Sequence, residues 1–118
     1  MQAHTLIKRI RSDTILAMNT INLTEEFGRW LSSLKDVMGK AKILARIRNA
    51  SLGNFGDIKP IGDGVSEMRI DFGPGYRVYY AREGRVVYLL LHGGDKSTQQ
   101  KDIATAIRMW KKIQEEQS

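Results

Sequence analysis

The chain has 118 residues, 42% of them hydrophobic, which is enough for one compact domain with a real core and too few for two. A formal net charge of +6 suits polyanionic partners, and a chain without cysteine has no disulfide frame, thiol nucleophile or thiolate metal site, which fits a reducing, cytoplasmic compartment. No apolar run approaches the roughly 20 residues of a membrane helix; the longest, Val86–Leu91, is strand-sized and gives no reason to expect a membrane partner.

Residues 1–17 have a basic centre and scattered apolar residues, without the apolar core and small-residue cleavage site of a secretory signal. They read as an N-terminal extension upstream of a natural start at Met18; the alternatives are a short helix packed on the domain or a basic arm that touches RNA. Residues 18–118 read as the domain proper. Asn19–Leu23 is a short strand, since Ile21 and Leu23 alternate with polar neighbours. Thr24 is a good helix N-cap, with Glu25 and Glu26 in the first turn where the helix dipole favours anions. Phe27, Trp30, Leu31, Leu34 and Met38 then recur at three- and four-residue steps, one apolar helix face, until Gly39 interrupts it. Ile43, Leu44, Ile47 and Ala50 form a second stripe that Gly53 stops, so the two segments make a helical hairpin.

Asn54–Gly64 is rich in Gly, Asp and Pro and reads as a loop. In the next strand Met68, Ile70 and Phe72 face one way and Glu67, Arg69 and Asp71 the other. After the turn Gly73-Pro74-Gly75, a strand puts Tyr76, Val78 and Tyr80 on one face and Arg77 and Tyr79 on the opposite one. Glu83-Gly84 signals a tight hairpin. Arg85–His92 is almost continuously apolar, hence central, and Gly93-Gly94 breaks it. Ser97-x-x-Gln100 matches a capping box for a last helix that buries Ile103, Ala106, Ile107, Trp110 and Ile113. The fold class is α+β, in the order β-α-α-β-β-β-α, with a mainly antiparallel sheet packed with helices.

The chemistry-bearing residues are few. His4 and His92 are the only histidines, too far apart and too poorly supported to suggest a metal site, and nothing calls for a cofactor. GDGVSE and GPGYRV begin Gly-x-Gly but lead into strands, and GGDKST misplaces the glycines of a phosphate loop, so all three read as turns. What stands out is a basic and aromatic face: Arg69, Arg77, Tyr79, His92 and Lys96 on or near one side of the sheet. RNA can be cut without a metal when its own 2′-hydroxyl attacks the adjacent phosphate. The protein then supplies cations, a proton-transfer group and a base platform. Arg69 and Arg77 suit the first role, His92 and Lys96 the second, and Tyr79 stacking or hydrogen bonding. Arg77, read as an exposed strand residue, should be removable with little loss of stability.

The runs GDGVSEMRIDFGPGYRVYY and VVYLLLHGGDKSTQQKDIATA, preceded by TEEFGRWLSSLKD and AKILARIRNASLGNFGDIKPI, resemble the RelE/ParE toxin superfamily, and within it the HigB-like addiction-module killer branch. The likeness runs from about Met18 to Ile113. It implies a small RelE-like fold and the toxin of a type II toxin–antitoxin system, an endoribonuclease (mRNA interferase) that cuts mRNA on the ribosome by 2′-hydroxyl chemistry without a metal. It implies as partners a HigA-like helix-turn-helix antitoxin, mRNA and the ribosome, with operator DNA bound only through the antitoxin complex. Arg77, in Gly-Tyr-Arg, falls where RelE-like enzymes carry their transition-state arginine; Arg69 falls at their strand lysine and Lys96 near their late basic residue. Their C-terminal tyrosine has no counterpart, Asp102 and Ile103 occupying that region, so the general acid or base must be His92, Tyr79 or Lys96. Two other functions share this frame: a ParE-like inhibitor of DNA gyrase, and an inactive or binding-only homologue.

Overall fold

The computed structural model describes residues 18–117, so the N-terminal extension read over residues 1–17 lies outside the described residues. The elements in chain order are β1 (Thr20–Leu23), α1 (Glu25–Ser33), α2 (Val37–Ser51), β2 (Ile58–Gly62), β3 (Val65–Ile70), β4 (Tyr76–Arg82), β5 (Val87–Asp95), a 3₁₀ turn (Lys96–Thr98) and α3 (Gln99–Gln117). The strands form one five-stranded sheet in the order β1-β5-β4-β3-β2. β1 runs parallel to β5 and every other pair is antiparallel. The expected α+β class holds. Among the described residues no helix is long and apolar enough to cross a membrane.

Alternation along the strands divides the interior into two layers. Met68, Ile70, Tyr76, Val78, Tyr80 and Leu90 pack with Phe27, Ile43, Ile47 and Ala50 beneath α1 and α2. Val65, Tyr79, Ala81, Leu89 and Leu91 pack with Ala106 and Trp110 beneath α3.

Four local expectations are corrected. The helical hairpin breaks at Leu34–Asp36 rather than at Gly39, because Asp36 caps α2 by accepting from the Gly39 amide at 2.9 Å. Gly39 is needed inside the first turn, where a Cβ would collide with Asp36 and the Tyr76 ring. Met38 therefore points outward, 60% exposed, instead of extending the apolar face. The segment taken as a loop contains an edge strand, β2, whose hydrogen bonds come from β3 and whose Pro60 is tolerated because an edge needs no donor on its outer side. The glycines of β5 do not end it. A side chain at Gly93 would strike the Trp30 ring and one at Gly94 the Asp102 carboxylate, so the strand continues bare to Asp95. Finally, Asp95 caps the turn before α3, its Oδ1 accepting from the Ser97 amide at 2.8 Å, in place of the expected Ser97 capping box.

A bulge in β5 changes which side chains share a face. Tyr79 pairs with His92 but Tyr80 pairs with Leu90, leaving Leu91 as the extra residue. Leu91 and His92 consequently lie on the same side of the sheet, under α3, where simple alternation would have separated them. Thr24 pins the bulge. Its hydroxyl donates to the Leu91 carbonyl at 2.7 Å while accepting from the Phe27 amide at 3.0 Å, so one residue caps α1 and fixes β5.

Candidate functional site

The α3 face of the sheet is apolar at one end only. Towards the other end Val65, Leu89 and Trp110 give way to Glu67, Arg77, Tyr79, His92 and Asp102, and the sheet opens into a pocket of about 370 Å³. Arg69, Arg77 and Lys96 line it together with Asp57, Asp71 and the Gly73-Pro74-Gly75 turn. Gly75 has φ +83°, and a methyl group there would touch both Arg77 Nη1 and Lys96 Cβ at 3.4–3.5 Å, so the turn closes against both cations.

Arg69 and Arg77 face each other across β3 and β4. Like charges in that register repel, and each arginine has its own acid. Arg69 Nη2 lies 3.1 Å from Asp57 Oδ1 at the rim. Arg77 Nε lies 3.7 Å from Glu67 Oε2 in the interior, where its Nη1 also donates to the carbonyls of Gly75 at 3.2 Å and Tyr76 at 3.3 Å. Arg46 holds the outer pair in place from α2. Its guanidinium donates to the carbonyls of Phe55, Asp57 and Arg69, tying the loop that carries Asp57 to β3.

Glu67 is wholly buried, and Gln99 at the start of α3 donates to its Oε2 at 2.8 Å. The Tyr79 hydroxyl and Glu67 Oε1 are buried without a well-formed hydrogen bond. Burial, and then the Glu67 carboxylate, push the Tyr79 phenol well above its ordinary pKa, so it stays protonated. The Tyr79 ring stacks on His92, with centroids 6.4 Å apart at 27°. His92 Nε2 lies 3.0 Å from Asp102 Oδ1, and Thr98 donates to Asp102 Oδ2 at 2.6 Å. Facing a carboxylate, Nε2 is the donor, which leaves Nδ1 as the acceptor of the neutral ring.

Arg69, Arg77 and Lys96 thus converge on one pocket, and His92 sits on the same face one rung along, paired with Tyr79 as Arg77 is with Gly94. Tyr79 does not meet the role given it as a base platform. It is 0% exposed, because α3 covers the face that alternation alone leaves open. Nor is Arg77 an exposed strand residue: its side chain is 12% exposed and held through Nε and Nη1. Sequence reasoning missed Glu67, Asp102 and Arg46. Asp102 left a signal, since it falls in phase with Ala106 and Trp110 on the buried side of α3, where an acid needs a partner. Arg46 left none, because its three acceptors are backbone carbonyls of distant segments.

The family model described as "Phage derived protein Gp49-like (DUF891)" matches residues 29–111, a span that holds every pocket residue named above. A Haemophilus influenzae protein described as "Uncharacterized protein" is 56% identical over 86 residues, which cover 73% of this chain and 87% of that protein. No solved structure matches the chain.

Proposed function

The chain belongs to the Gp49-like family, a toxin-like family related to RelE, and we propose that it is the toxin of a type II toxin–antitoxin pair that cuts mRNA on the translating ribosome. The observation that carries this reading is the convergence of Arg69, Arg77 and Lys96, from β3, β4 and the turn after β5, on one open pocket of about 370 Å³. A phosphodiester seated there meets three cations, two of them arginines, beside the carboxylates of Asp57, which is paired with Arg69, and Asp71.

In the reaction the 2′-oxygen bonds to phosphorus and the bond to the 5′-oxygen breaks, giving a 2′,3′-cyclic phosphate and a free 5′-hydroxyl. Arg77 and Arg69 stabilise the charge that grows on the phosphorane oxygens. His92, oriented by Asp102, takes the 2′-hydroxyl proton at Nδ1, and Lys96 protonates or stabilises the leaving oxygen. As a diagonal neighbour of Arg77 on the same face, His92 stands about 7–8 Å away between backbones, within reach of one nucleotide held by both. Tyr79 acts from behind as a wall that fixes the His92 ring.

The net charge of +6 supports docking on ribosomal RNA with strongly salt-dependent affinity. An antitoxin partner belongs with a toxin-like family, and the resemblance of the sequence runs to HigB-like toxins supports a HigA-like helix-turn-helix protein in that role. The domain then comprises residues 18–118, with the preceding residues as an accessory extension.

Primer extension on mRNA in a translating extract, beside naked RNA, tests the reading. Wild-type protein should cut within codons only when ribosomes translate. Lys96→Ala, at an exposed position, should fold normally and cut at least about tenfold more slowly. Intact mRNA together with loss of DNA supercoiling in a gyrase assay would overturn it in favour of the ParE-like alternative.

A further inference from the structure

The polar half of the α3 face contains more buried polarity than folding requires. On the opposite side of the same strand pair, Met68 and Val78 fill the neighbouring register positions with apolar volume. Glu67, flanking them on β3, places a carboxylate at 0% exposure on the face of the sheet under α3. A buried ion pair is commonly no more stable than a well-packed apolar substitute, so stability does not explain this choice.

The contacts around Glu67 do. Its Oε2 takes the Gln99 amide at 2.8 Å and faces Arg77 Nε at 3.7 Å. Its Oε1, the Tyr79 hydroxyl and Arg77 Nε are buried without hydrogen bonds of good geometry. Tyr79 is the register partner of Glu67, and Arg77 lies two residues away on the same face. Arg77 Nη1 is occupied by the Gly75 and Tyr76 carbonyls at 3.2 and 3.3 Å. Nη2 takes no part in these bonds, and Arg77 lines the pocket. These contacts, at 3.7, 3.2 and 3.3 Å, hold the guanidinium in place but are longer than ideal charge-assisted bonds of about 2.7–2.9 Å, so its capacity for an anion is not used up.

Resting on the cleavage reading, we infer that Glu67 is the positioning residue for Arg77: from behind the pocket, supported by Gln99 and backed by Tyr79, it fixes the guanidinium so that its Nη2 edge meets the phosphoryl oxygens as charge develops on them. Glu67 touches no substrate. It acts through Arg77, and its effect falls on the transition state more than on RNA binding.

Two readouts separate this role from a structural one. In wild-type protein the Arg77 Nε–H should give a distinct NMR signal protected from solvent exchange. Glu67→Gln, which keeps the shape and removes the charge, should shift that signal and restore fast exchange. In the translating extract the same variant should lower the rate at saturating ribosomes about tenfold while the half-saturating concentration changes less than about twofold. Gln99→Met, at a half-buried position, leaves Glu67 in place without its donor and should give a smaller loss in the same direction. The inference is overturned if folded Glu67→Gln cuts at the wild-type rate. It is equally overturned if rate and half-saturation worsen in parallel with thermal stability, or if the Arg77 Nε–H signal is unchanged. A wild-type protein that cuts no RNA would instead discard the cleavage reading, and the Nε–H signal alone would then decide whether the clamp exists.

Discussion

The two faces of the sheet are built from the same strands and filled by opposite rules. Beneath α1 and α2, alternate residues from Ile21 to Tyr80 form a continuous apolar layer. Beneath α3 the apolar layer stops partway, and Glu67, Tyr79, His92 and Asp102 take over with a set of bonds that are only partly satisfied. Apolar burial is non-directional and roughly proportional to area, so the first face sets stability. Buried polar groups are directional and costly when unpaired, so the second face sets the geometry of Arg77 and His92 at the pocket's edge. In a small fold, then, chemistry is to be sought where the core ceases to be apolar while remaining buried.

Breaking the apolar face should have the largest effect. Phe27→Ala, at a position 0% exposed, should cost about 3–5 kcal/mol in denaturant unfolding, and Met68→Ala about 2–5 kcal/mol, without singling out the site. On the polar face, Arg77→Ala should cost about 1–3 kcal/mol by leaving Glu67 buried without its cation. Adding Glu67→Gln to it should restore part of that loss. A pair of independent, additive costs in the double-mutant cycle would show that the two groups are not coupled. Gly94→Ala forces a methyl group into the Asp102 carboxylate and should cost about 1–3 kcal/mol. It should also separate His92 from Asp102, visible as a changed His92 imidazole resonance, and slow the proposed cleavage. If the resonance and the rate are unchanged, the dyad is not part of the site.

The smallest effect probes the independence of the two faces from the stabilising side. Under α1 and α2 the Tyr76 hydroxyl donates to Asp36 Oδ2 at 2.7 Å. That bond, more than burial, raises the Tyr76 phenol from its ordinary 10.0 to about 12. It also lowers the Asp36 carboxyl below its ordinary 3.8. A raised phenol stabilises the fold fully below pH 10 and loses that contribution as pH climbs towards 12, whereas a depressed carboxyl contributes above pH 3.8 and loses its share in more acid solution. Tyr76→Phe should therefore flatten both ends of the stability–pH curve while leaving the proposed cleavage untouched. Loss of cleavage in this variant would show that the two faces are not independent.

Much of this was legible along the chain. The period of Phe27, Trp30 and Leu31 marked α1, the alternation through Tyr76, Val78 and Tyr80 marked β4, and Thr24 announced its cap. Arg69, Arg77 and Lys96 could be gathered from the turns between their strands. What resisted reading was whatever depended on a partner far away in sequence. β2 looks like a loop because an edge strand takes its order from its neighbour. Gly93 and Gly94 look like a stop because nothing local says that Trp30 and Asp102 need their space. Tyr79 looks exposed because its cover, α3, begins some twenty residues later.

The periodic elements, the α+β class and the cationic character of one sheet face were all written in the chain, because periodicity and charge are properties of neighbouring residues. Which cations are free and which are clamped emerged only on folding. Glu67 meets Arg77 through the β3–β4 register, Gln99 reaches Glu67 from α3, and the Leu91 bulge turns His92 towards Asp102. Each of these depends on strand register and helix placement, which buried area fixes across the whole chain at once and no local stretch specifies.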